Sequence, residues 1–232
     1  MSVTRLLIFS LLFLIYCTLL RSQDYNRVYT AEFNIIVASP QGSFKKNTSN
    51  YLYGAQFGFL TQVKKAQPLF VGVEMDFVMI GSKSGTVERF FNNFSEFWNS
   101  TTNSLKFGGR LFSRYYIDLG SQKFTPFVEF GIGTNWFVTY TSLQFQSNDE
   151  SVVENHKTDM VGYYGGALGA SYQLTDNLFL TGKLLYNNGL SGKYFSLRQD
   201  NLGGEVTTLD FFDLRTGPTS MLNRTIGLSY TF

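Results

Sequence analysis

Four acids and four bases stand inside segments that are otherwise apolar: Glu32, Glu74, Asp76 and Glu129 against Lys106, Arg110, Arg114 and Lys183. Several are spaced by two or four residues, the spacing that puts side chains on one face of a β-strand. Charges on a buried face must be paired, because an unpaired one costs several kcal/mol. Equal numbers of each sign therefore predict a neutral, salt-bridged interior, with a narrow polar conduit or proton-responsive gate as the functional alternative. Arg114 and Glu129 fall at similar heights on consecutive segments and are predicted to pair. The one histidine, His156, lies near Asp149, Glu150, Ser151 and Glu154. Histidine with serine and an acid is acyl-transfer chemistry. A lone loop histidine is more simply a solvated residue, so no catalytic residue is assigned. One His and the single Cys17 do not make a metal centre. Asp200 to Glu205 lacks calcium-loop spacing. The glycines Gly162, Gly165, Gly166 and Gly169 precede no helix, which excludes a phosphate loop. No metal or cofactor is expected.

The elements holding these charges are strands. Alternating segments of about ten residues or more recur at 28–38, 51–63, 69–80, 105–117, 125–140, 160–173 and 178–188, with an eighth at the end of the chain. The connections alternate as well. Those at 64–68, 118–123 and 174–177 are short; those at 39–50, 81–104, 141–159 and 189–220 are long. Short turns at one end and long loops at the other are the pattern of membrane barrels. Register is testable in advance. Around 64–68, Phe57 should face Met75, Phe59 Val73, Gly58 Glu74 and Gln56 Asp76. Around Thr175–Asp176, Ala167 should face Lys183. Ten strands remain an alternative if 205–214 pairs with 193–198 inside the sheet; a hairpin extending above the membrane is preferred.

The outward aromatics Tyr29, Tyr53, Tyr115, Trp136, Tyr140, Tyr164, Tyr172, Tyr186, Tyr230 and Phe232 would form girdles at two bilayer interfaces. Ile226, Leu228, Tyr230 and Phe232 alternate with small polar residues to the terminal aromatic. This resembles the carboxy-terminal signal by which outer-membrane barrels engage their assembly machinery. Arg5 followed by the apolar run 6–16 reads as a secretory signal peptide over 1–22, leaving 23–232 as one barrel domain. The near-neutral net charge of +2 gives no support for nucleic acid as a partner. In the second long loop, Phe90, Phe91, Phe94, Phe97 and Trp98 crowd together. They predict either a contact surface for an envelope protein or glycan, or a loop folded over the mouth.

The stretch from Val73 through Glu74, Asp76 and Ile80 to Gly85 resembles the PorT-like outer-membrane β-barrel family of Bacteroidetes. So do Gly165 to Gly169, Tyr172, Asn177-Leu178 and Tyr186 to Leu190. The general form is similar to the small OmpX and OmpA barrels. The resemblance implies a place in the outer membrane and a link to protein secretion; the long loops depart from it. The expectation is an all-β, eight-stranded antiparallel up-and-down transmembrane β-barrel with long extracellular loops. It would contact outer-membrane lipid and serve a structural, envelope-complex or surface-interaction role. A lipid-modifying enzyme is the first alternative. A soluble exported barrel binding a small hydrophobic ligand is the second, and would require the opposite inside–outside distribution.

Overall fold

A computed structural model describes residues 28–65, 67–91, 94–119, 123–145, 151–198 and 208–232. The expected signal peptide, 1–22, lies outside the described residues. Ten strands form: β1 (Tyr29–Pro40), β2 (Leu52–Gln62), β3 (Leu69–Phe91), β4 (Phe94–Tyr116), β5 (Phe124–Phe145), β6 (Ser151–Gln173), β7 (Leu178–Gly189), β8 (Ser191–Leu197), β9 (Phe212–Pro218) and β10 (Met221–Thr231). Eight close on themselves in the order β1-β10-β7-β6-β5-β4-β3-β2, and β8 pairs only with β9 as a separate hairpin. The barrel therefore has eight strands, all antiparallel to their neighbours. The hairpin forms from residues nearer the barrel than 205–214, with Ser191 opposite Pro218 and Leu197 opposite Phe212.

Alternation decides which way the sheet faces. Ile226, Leu228, Phe57, Met75, Leu111, Phe130 and Leu168 are exposed on the outside. Glu32, Glu74, Arg110, Arg114 and Glu129, one residue out of phase with such apolar positions, are buried inside. A soluble barrel needs the reverse. Apolar surface of this extent is compatible with lipid and not with water, so the cylinder is a transmembrane barrel of the outer-membrane type. Aromatics gather at the short-turn end, where Phe232 stacks with Tyr29 at 6.1 Å and lies 6.2 Å from Tyr230. Backbone bonds between Tyr29 and Phe232 close the seam there.

Register around 64–68 is the one expected: Phe57 faces Met75, Phe59 Val73, Gly58 Glu74 and Gln56 Asp76. The register between β6 and β7 differs by two residues. Gly169, not Ala167, faces Lys183, and Ala167 faces Leu185. The turn 174–178 closes with Leu174 and Thr175 both donating to the Leu178 carbonyl, which centres it one residue later. The inward face is preserved, and a small residue, glycine in place of the expected alanine, stands beside the lysine.

Two regions expected as long loops are paired strand. β3 to β6 run for 22 or 23 residues, against 11 or 12 in β1, β2, β7 and β10. The surplus of about ten residues, at ~3.3 Å each, raises a four-stranded wall along one side of the rim. The apolar period stops where the lipid stops, so the wall reads in sequence as loop. In water the pairing needs only backbone bonds and cross-strand polar contacts, such as Ser82 to Asn103 (2.7 Å) and Ser84 to Thr101 (3.0 Å). The first loop holds a short helix, α1 (Gly42–Asn47), and the last carries a 3-10 turn (Thr208–Phe211) before β9.

Inward glycines set how closely the strands and their charges pack. A Cβ at Gly227 would lie 1.9 Å from the Phe33 carbonyl oxygen, whereas one at outward Gly182 meets nothing nearer than 3.7 Å. Gly227→Ala should destabilise the barrel by about 1–3 kcal/mol through forced backbone shifts. Gly182→Ala should stay within ~0.5 kcal/mol of the parent. Urea unfolding of the two variants in lipid vesicles measures the difference.

Candidate functional site

The lumen is filled in layers. At the short-turn end Leu60, Phe70 and Phe112 form an apolar plug, with Val28 and Tyr116 against it. At the other end Ile36, Ala38, Leu52, Val78, Ile80, Phe137, Val161 and Met221 form a second. Phe44 of α1 and Tyr194 of β8 belong to this upper plug, their rings edge to face at 4.7 Å. Burial pushes the Tyr194 hydroxyl above its usual range, opposed by the hydrogen bond from Asn47 (3.1 Å). Helix and hairpin thus close the mouth from above.

Between and alongside the plugs lie the eight charged side chains singled out from the sequence, with Arg114 opposite Phe70 in the ladder and Lys106 opposite Val78 and Phe137. Arg114 of β4 donates to both carboxylate oxygens of Glu32 on β1, at 2.5 and 2.9 Å. It also holds Glu129 of β5 at 2.6 Å. Glu129 is shared with Arg110 at 2.8 Å, and Arg110 reaches Glu74 at 3.0 Å. Lys183 of β7 completes the set, 2.7 Å from Glu74 and 3.5 Å from Glu129. Three acids and three bases are joined in one network. Asp76 and Lys106 make a separate pair at 2.5 Å. Arg114 and Glu129 are direct cross-strand neighbours, as are Arg110 and Glu74.

Aromatic rings and missing side chains make this geometry possible. The Arg114 guanidinium sits 4.1 Å over the Phe127 ring, and Arg110 is 5.0 Å from Phe112. Such contacts strengthen when desolvated. A Cβ at Gly108 would stand 2.4 Å from the Asp76 carboxylate, and one at Gly131 would stand 2.7 Å from Arg110 Nε. Sequence reasoning missed these glycines. Their signal was present: each is an inward position beside a charge on its own or the next strand. Level with the Asp76–Lys106 pair, Asn34 donates to Gln56 at 3.2 Å, and Asn135 accepts from Lys106 at 3.4 Å.

The histidine lies on a strand, not in a loop. Register slips between Thr139 and Tyr140 of β5, leaving His156 as the extra residue of a bulge on β6. The bulge aims its Nε2 at Thr141 Oγ1, 2.6 Å away. Thr141 continues through Thr102 (2.6 Å) to Thr208 (2.8 Å), so the histidine ends a chain of hydroxyls that ties the 3-10 turn to the wall. Glu154 is exposed on the same strand, Ser151 pairs with Gln144 at the strand's start, and Asp149 and Glu150 lie outside the described residues.

The expected aromatic loop is the tip of the β3–β4 hairpin. Phe91 faces Phe94 and Phe90 faces Ser95 in the backbone ladder. Phe97 is exposed and Trp98 half-buried; the side chains at 87–96 are outside the described set. The wall's inner surface receives the β8–β9 hairpin. Leu197 and Phe212 approach Gly81, Ser104 donates to the Phe195 carbonyl (2.8 Å), and Lys83 lies 4.5 Å over the Phe211 ring. On the hairpin, Arg198 donates to Asp213 at 2.6 Å and Arg215 does so at 2.7 Å.

No protein-family model matches the chain, and no curated protein matches it. Among solved structures it is similar to Neisserial surface protein A, at 12% identity, 89% of this chain, 97% of that chain and TM-score 0.43. It is similar to a major outer membrane protein from Thermus thermophilus, at 13% identity, 89% and 100% coverage and TM-score 0.48. The outer membrane protein OprG from Pseudomonas aeruginosa gives 13% identity, 88% and 95% coverage and TM-score 0.43.

Two outcomes are expected. Arg114→Met leaves Glu32 without its ion-pair partner among the described residues and takes from Glu129 one of three, and should cost about 3–5 kcal/mol. Adding Glu32→Gln should recover part of that, a coupling of about 1 kcal/mol or more in a double-mutant cycle of vesicle unfolding. On the hairpin, the hydrogen bond from Arg198 holds the Asp213 carboxyl below its usual range, against a smaller opposing effect of burial. A depressed carboxylate stabilises the fold above its unfolded range, and that contribution is lost as pH falls through the folded value. Arg198→Ala should move the Asp213 midpoint upward in a carboxyl-carbon NMR titration.

Proposed function

We propose that this outer-membrane barrel is a sealed scaffold that presents a surface, and that its work is done by the wall and hairpin above the rim. The observation that carries the reading is the filling of the lumen by two apolar plugs and a closed ion-pair network packed against them. An eight-stranded cylinder is just wide enough for side chains to fill it. Every charge in the network contacts an opposite charge, which argues for support of the cylinder and against a conduit.

The surface-interaction role rests on shape. A four-stranded wall with exposed side chains at 82–86 and at Phe97, stiffened by a hairpin on its inner side, offers a contact area for another envelope protein or a surface glycan. The resemblance to the PorT-like family suggests that such a partner belongs to secretion machinery. The terminal set Ile226, Leu228 and Tyr230 of β10 with Phe232 just after it, all exposed on the outside, is the surface proposed to engage the assembly machinery during insertion. Lipid is the partner of the remaining belt.

Planar-bilayer recording should give no steady conductance from the intact protein; a reproducible ohmic pore would overturn the sealed reading. Deleting 88–97 should leave a heat-modifiable, membrane-inserted barrel while removing its cross-linked envelope partners. An unchanged cross-linked set would refute the tip as the contact.

A further inference from the structure

The outward row of β10 reads Phe232, Tyr230, Leu228, Ile226 and then Arg224. The first four are exposed apolar residues. Arg224 continues their alternation and faces the same way. Eight residues separate Arg224 from Phe232, roughly 26 Å along a strand at ~3.3 Å per residue. With the tilt usual for such strands this comes to about 20 Å across the bilayer, and a long side chain extends it to the far edge of an apolar band ~25 Å tall. A cation facing lipid is costly at the midplane and nearly free at the interface. Arg224 therefore stands at the height of the lipid headgroups.

It does not stand alone. Arg224 Nη1 donates to Ser39 Oγ at 2.7 Å, and Ser39 is buried. The guanidinium is thus held in place with donors to spare. Around it opens a cleft of about 310 Å³ lined by Ser39, Pro40, Gln41, Lys45, Asn50, Tyr51 and Arg224. Two cations line this cleft and no carboxylate does. Among the described residues neither Lys45 nor Arg224 makes an ion pair. Lys45 comes from α1, whose Phe44 is fixed in the upper plug, so the helix carrying the second cation is held in place.

We propose that this cleft binds the phosphate monoester of a membrane lipid headgroup, with Arg224 supplying a forked donor pair and Lys45 a point charge. The inference rests on the reading of the chain as a bilayer-spanning barrel. A lipid source is favoured over a free ion because Arg224 belongs to the lipid-facing row.

The test refolds the protein into phosphatidylcholine vesicles doped with phosphatidic acid, extracts it gently and counts retained lipid by native mass spectrometry. Intact protein should carry phosphatidic acid in preference to phosphatidylcholine. Lys45→Ala with Arg224→Ala should lower that retention about tenfold or more, while Lys46→Ala, one residue along α1, should not. Heat-modifiable migration checks insertion of every variant separately; a parent that never inserts would overturn the membrane reading as well. Equal retention by parent and double variant would show that Arg224 only snorkels, and would overturn the proposal. Binding of inorganic phosphate in detergent, with lipid retention unaffected by the double substitution, would assign the cleft to a free ion and would likewise overturn it.

Discussion

The fold depends on the pairing of Arg114 with Glu32 and Glu129. Arg114 is fully buried in the narrow interior, and its charge cannot be left unpaired there. Glu32 reaches it from a strand three places away around the cylinder, and Glu129 from the adjacent one. Glu129 then engages Arg110 and Lys183, and both of these meet Glu74. Loss of Arg114 strips a partner from two carboxylates, and loss of Glu129 strips one from each of the cations it joins. The apolar plugs packed against the network keep water away, and so raise both the strength of the pairing and the penalty for breaking it.

Much of this is legible in the chain, because a membrane barrel has one strong period and two solvents. Strict alternation at Phe57, Met75 and Phe59 puts the opposing polar set of Gln56, Glu74 and Asp76 inside, and the register of β2 with β3 follows from matching faces. The upper halves of β3 to β6 are not legible. Residues such as Ser82, Ser84, Thr101 and Thr102 pair in the sheet yet alternate nothing apolar, since water lies outside them. The β6–β7 register escapes by two residues because turn length, not face, decides it. His156 reads as a loop residue for the same reason as the wall, and no sequence period announces a bulge. The inward glycines are visible as residues but not as spaces; their meaning requires knowing that Asp76 and Arg110 lie over Gly108 and Gly131.

The two ends of the molecule are built on different logic. The short-turn end is plugged inside by Leu60, Phe70 and Phe112, while Tyr29, Phe59, Tyr230 and Phe232 cluster on its lipid-facing surface at the seam. The far end is asymmetric: one side rises as a wall, and the other stops near the rim beside α1. The hairpin β8–β9 bridges the difference, inserting Tyr194 into the lumen while Thr208 joins the wall through Ser100 and Thr102. The mouth is therefore closed by elements that are also tied to the exposed surface.

The sequence separation within the ion-pair network bears on how the cylinder comes to exist at all. Arg114 and Glu32 are 82 residues apart, and Lys183 and Glu74 are 109 apart on opposite strands of the ring. A hairpin entering the bilayer alone can satisfy its neighbouring pairs, but not these. Each partly formed sheet would carry bare charge into hydrocarbon, and release would come only when β1 meets β10. Insertion and closure are thereby bound into a single late, concerted event with high contact order, which is slow by nature. Once closed, the same cross-barrel bonds oppose opening at any one seam, so the native state is held by its kinetics as well as by its depth.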